Sequence, residues 1–154
     1  MRIVSFDGGR IGILDGDQVV DVTGLAGVAP EAMASEPRLP LASVQLEAPI
    51  RWPNKIIAFP ANYQAHIEEQ KTSAVGLIST FKADGQGFFL KANSSLSGPA
   101  DPIVLPDVPD RAIHHESELA VIIGRGGRCI PRASAMEHVF GYSCLLDMVI
   151  RGRE

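Results

Sequence analysis

A chain of 154 residues can bury a core of its own and fits one medium domain, or a small domain joined to part of another. Hydrophobic residues make up 45% and charged residues 21%, and the formal net charge is −4 with Lys and Arg scattered. That balance excludes a phosphate-neutralising basic stripe, and with it a nucleic-acid partner.

The N-terminus reaches Asp7 before any signal-type apolar core, and no apolar run approaches the roughly 20 residues a membrane helix needs. No membrane partner is expected. Cys129 and Cys144 lack CxxC spacing and read as two buried free thiols in a reducing compartment, so the cytoplasm is the expected location.

In chain order, residues 2–6 alternate polar and apolar, Gly8-Gly9 can turn, and residues 11–14 form a second run. Asp15-Gly16 is a two-residue hairpin signal, since type I′ turns need positive φ. Residues 18–22 complete a three-stranded meander. Residues 25–50 hold Pro30, Pro37, Pro40 and Pro49, which argue against long regular elements, although Pro30 could open a brief helix. A small N-terminal β domain over 1–50 follows, and a second domain over 51–154. The second opens with a strand at 55–59, a turn at 60–63, a short polar helix at 64–70 and a mobile loop over 71–87. Strands are expected at 88–91 and 102–105, with turn chemistry between them. Residues 116–124 read as a strand entering a core, 124–128 as a turn, 133–140 as helical, and 142–150 as a final apolar strand. The chain then stops at Glu154, directly after a strand, which reads as a fragment or as a sequence lacking residues beyond 154.

Glu116 and Glu118 are two apart on a predicted strand and therefore project to the same side. Paired carboxylates near a core repel, and each loses hydration, unless something positive lies between them. Asp147 is a third carboxylate, set in the apolar run Leu145-Leu146-Asp147-Met148-Val149. Three carboxylates completed by water suit Mg²⁺ or Mn²⁺ better than Zn²⁺. The spacing alone equally accommodates a solvated glutamate pair with Asp147 paired to Arg151. His66 and Glu69 stand three apart on the polar helix, where a carboxylate can orient an imidazole as a general base, or where both can simply be exposed. His114 shares the predicted face of the glutamates and His115 does not. Both read as supporting or structural groups.

Several segments together resemble one family. Residues 113–124 (IHHESELAVIIG), then Val139-Phe140-Gly141-Tyr142 and Leu146-Asp147-Met148, resemble the HHExELxxxxG … GY … D pattern of the fumarylacetoacetate hydrolase family. Residues 55–69 (KIIAFPANYQAHIEE) are similar to its NYxxHxxE opening, and 89–106 (FLKANSSLSGPADPIVLP) to the segment that follows. The resemblance implies an α+β, mainly β fold: a small N-terminal β-meander domain, then a truncated mixed β-roll whose C-terminal part is absent. It implies Mg²⁺ or Mn²⁺ held by Glu116, Glu118 and Asp147. It also implies His66 as catalytic base with Glu69 as its partner, and active-site roles for Lys91 and Arg151.

Two departures stand out. Gly152 follows Arg151 where many members have Asp, and the family's later Lys-Ser or Lys-Phe segment has no match here. The implied partners are a small 2-oxo acid and a second copy of the chain. The implied activity is C–C hydrolysis of acylpyruvate-type substrates through a metal-stabilised enolate. Decarboxylation, isomerisation or hydration of 2-oxo diacids on the same site is the alternative, and a non-catalytic β-rich module with a structural metal is a third reading.

Overall fold

A computed structural model describes residues 1–25, 33–51, 53–60, 62–65, 67–68, 85 and 87–150. The expected helix at Pro30, most of the 71–87 loop, and His66, Glu69 and residues 151–154 lie outside these residues. The chain divides into two compact units, Met1–Pro102 and Ile103–Glu154. The described secondary structure is mainly β, as expected.

The first unit is built on an antiparallel sheet of five strands: β1 (Ile3–Phe6), β2 (Arg10–Asp15), β3 (Gln18–Asp21), β4 (Arg38–Pro40) and β5 (Leu46–Glu47), in the order β4-β3-β2-β1-β5. β1 turns into β2 through Asp7, Gly8 and Gly9, all at positive φ, where glycine carries no Cβ penalty. β2 and β3 close with Asp15 opposite Gln18, so the two loop residues are Gly16 and Asp17. The turn sits one residue later than the Asp15-Gly16 signal suggests, because Asp15 is drawn into the ladder.

The sheet buries residues on both faces. On one face Ile13, Val20 and Val22 form a cluster against which Leu25 and Met33 pack. On the other, Phe6 and Val19 are fully buried. Gly12 lies between them: a Cβ there would stand 2.3 Å from Val19 Cγ1 and 3.1 Å from the Phe6 ring. Each fully buried valine or phenylalanine contributes about 1.5–3 kcal/mol relative to exposure. Arg10 lies 4.7 Å over the Phe6 ring and pairs with Asp21. β5 is fastened by its last residue, since Glu47 accepts the Gly8 N–H at 2.7 Å and Arg51 at 3.1 Å. That backbone N–H, followed by Arg51, holds the Glu47 carboxyl below its ordinary range.

β6 (Ile56–Ala58) and β7 (Phe89–Lys91) form an antiparallel ribbon, continued by Phe59 and Phe88 in edge-to-face contact with centroids 6.4 Å apart. Gln64, Ala65, Ile67 and Glu68 are helical, and the Ile67 N–H donates to Tyr63 O at 3.0 Å.

Among the described residues, the second unit contains one antiparallel pair, β8 (Ile113–Ile123) and β9 (Val139–Ile150). Four expectations for this part of the chain are corrected. Residues 102–105 form no strand, since Pro102 and Pro106 lack N–H donors at either end, and Val104 is 85% exposed. Helical spacing at 133–140 resolves into a 3-10 helix, Arg132–His138, after which Val139 and Phe140 enter β9. Cys129 and Cys144 are free but exposed rather than buried. Nor does β8 enter a core: Leu119, Val121 and Ile123 are 60%, 50% and 62% exposed, beside similarly exposed Phe140, Tyr142 and Leu146.

Candidate metal centre

Asp147 stands directly opposite Glu116 across the β8–β9 ladder, and Leu145 stands opposite Glu118. Cross-strand partners point to the same side of a sheet, and residues two apart on one strand do likewise. Glu116, Glu118 and Asp147 therefore share one face. That face is the better covered: Glu116 and Glu118 are half-buried and Asp147 is only 6% exposed. None of the three acids lacks an interaction partner. His114, opposite Val149, shares this face but is exposed, and His115 lies on the other.

The alignment of the acids depends on an irregularity. The ladder pairs Ile122 with Gly141 and Ile123 with Val139, so Phe140 is an extra residue on β9. Carrying the Ile123–Val139 register straight through would set Leu146, not Asp147, opposite Glu116. The bulge thus decides which face Asp147 takes. At the loop end, Gly124 N–H donates to His138 O at 3.0 Å, and His138 Nδ1 lies 2.8 Å from Arg125 O. His138 so closes the loop that leads into the bulge.

As donors, three carboxylates on one face, one of them buried, suit a hard divalent cation. Their oxygens are not gathered at a point: among the described residues, no three His, Cys, Asp or Glu side chains form a group that could hold a metal ion. The fit lies in face, register and donor chemistry. Of the other candidates, Lys91 is half-buried on β7 in the first unit, opposite Ile56. His66, Glu69 and Arg151 lie outside the described residues.

A β-rich fold with an acid-bearing antiparallel pair defines a class that the comparisons resolve. Residues 55–154 match the family described as fumarylacetoacetate (FAA) hydrolase C-terminal. A maleylpyruvate hydrolase of Aquipseudomonas alcaligenes is 36% identical, with 100% of this chain and 63% of the relative covered. A mitochondrial oxaloacetate tautomerase of Homo sapiens is 35% identical over 80% of this chain and 37% of its own length. Among solved structures, a maleylpyruvate hydrolase from Sphingobium sp. SYK-6, in complex with manganese(II) and pyruvate, superposes with a TM-score of 0.80 at 45% identity, covering 99% of this chain and 60% of that one. The chain belongs to the fumarylacetoacetate hydrolase family. It spans less than two thirds of the length of the two hydrolases.

Proposed function

We propose that this chain is part of a divalent-metal-dependent hydrolase that cleaves a C–C bond in acylpyruvate-type 2-oxo acids. The observation that carries the reading is the register that sets Asp147 opposite Glu116, with Glu118 on the same face. The maleylpyruvate hydrolase likenesses supply the substrate class, and the manganese in one of them supports Mn²⁺, or Mg²⁺, at the three acids. Residues 1–50 serve as a small N-terminal β domain, and 51–154 contribute to the catalytic domain.

When bound, the cation supplies positive charge where the substrate's oxygens become negative during cleavage. The chain's own residues do the rest. His66, oriented by Glu69, accepts a proton from water as its oxygen attacks the carbonyl carbon remote from the substrate carboxylate. The C–C bond breaks, its electron pair stays with the three-carbon fragment, and that fragment takes up a proton to become pyruvate. Lys91 and Arg151 hold the anionic substrate. A second copy of the chain completes the proposed homodimer.

A second reading, oxaloacetate tautomerisation or decarboxylation at the same acids, is favoured by the likeness to the human tautomerase. The test is pyruvate release by the full-length protein from a panel of acylpyruvates, with Mn²⁺, with Mg²⁺ and with chelator. Metal-dependent release is expected. Turnover unchanged by chelator, or turnover of oxaloacetate alone, overturns the hydrolase reading.

A further inference from the structure

The β8–β9 ladder holds two registers that differ by one residue. At the loop end, Ile123 pairs with Val139 and Gly124 bonds to His138. Beyond the extra Phe140, the ladder runs from the Ile122–Gly141 pair to the Ile113–Ile150 pair in the register that aligns the acids. The loop therefore does not by itself dictate the acid register. The side-chain pattern of β9 also resists a slip weakly, because Leu145 and Leu146 are apolar on opposite faces. The Glu116–Asp147 pair is only the fourth from the end remote from the loop, where ladders fray.

Among the described residues, Arg111 ties that end from outside the strands. A turn over Val108–Arg111, closed by Arg111 N–H to Val108 O at 3.3 Å and carrying Asp110 at φ +64, leads into β8. From it Arg111 Nη2 reaches across and donates to Ile150 O, the last carbonyl of β9, at 3.2 Å. We propose that Arg111 is a positioning residue: its bond to the Ile150 carbonyl holds the register that sets Asp147 opposite Glu116. Its effect on the metal rests on the function proposed above. Its effect on the ladder does not.

The test uses the full-length protein with Arg111→Ala and Arg111→Lys. Backbone hydrogen exchange over residues 113–115 and 148–150 reads the ladder, and Mn²⁺ titration calorimetry reads the site. Losing this solvent-exposed hydrogen bond to a carbonyl is expected to speed exchange at this end about three- to tenfold and weaken Mn²⁺ binding by a similar factor. Arg111→Lys, whose ammonium can still donate, recovers most of both. Unchanged exchange in Arg111→Ala overturns the clamp. Faster exchange with unchanged Mn²⁺ affinity overturns the positioning role. If Glu116→Ala binds Mn²⁺ like the unsubstituted protein, the metal reading fails instead, and exchange alone judges the clamp.

Discussion

Glu116 and Asp147 are direct partners across an antiparallel ladder, with Asp147 the more buried of the two. Facing acids at this spacing oppose one another unless a cation lies between them. Metal binding to the folded chain should therefore register as stability. At a free Mn²⁺ concentration about 100 times Kd, linkage adds about 2.7 kcal/mol, which raises Tm by several degrees. Glu118→Ala and Asp147→Asn are expected to lose most of that rise, measured by calorimetry with and without Mn²⁺.

His66→Ala separates base chemistry from metal binding. It should keep the Mn²⁺-dependent rise in Tm while losing about 10²–10⁴-fold in acylpyruvate turnover, the usual worth of a general base. Oxaloacetate decarboxylation needs no activated water and should fall less. An equal fall in both reactions, with metal still bound, would make His66 a substrate-positioning group.

Asp21 accepts hydrogen bonds from the Thr23 hydroxyl and from Arg10, and the Thr23 bond is the larger cause holding its carboxyl below the ordinary range. The folded state thus binds this proton less tightly than the unfolded state. Asp21 stabilises the fold above the ordinary carboxylate range, and that contribution fades as pH falls through it. Asp21→Asn should lower the urea midpoint at pH 7 and lower it by less near pH 3.

Gly12→Ala tests the packing of the N-terminal sheet. The added methyl meets Val19 Cγ1 at 2.3 Å, and both Val19 and Phe6 are fully buried. A loss of about 1–3 kcal/mol is expected from urea unfolding, with the Mn²⁺ response of the β8–β9 acids intact.

Where local pattern decides structure, the sequence was readable. β1 to β3 follow from alternation and glycine turns, β6 and β7 from short apolar runs, and β8 and β9 from their length. β4 and β5 went unread because three and two residues among prolines have no pattern of their own, and they are strands only because β3 and β1 offer free edges. The apolar run at 102–105 misled because proline, not hydropathy, governs it. Alternation told that Glu116 and Glu118 share a face. It could not place Asp147, whose side depends on the extra residue at Phe140. The grip of Arg111 on Ile150 spans a long sequence separation and had no signal in the sequence.

The side of the β8–β9 pair away from the acids has a consequence for handling. Leu119, Val121, Ile123, Phe140, Tyr142 and Leu146 are all at least half exposed there. Among the described residues, no third strand borders either edge of this pair. Two strands alone are marginal in water, and bare edges beside apolar side chains are templates on which another strand can add. Expressed apart from the N-terminal unit, residues 103–154 should bind apolar dyes and aggregate rather than persist as a monomer. The stretch that carries the acids would then be the hardest part of the molecule to study alone.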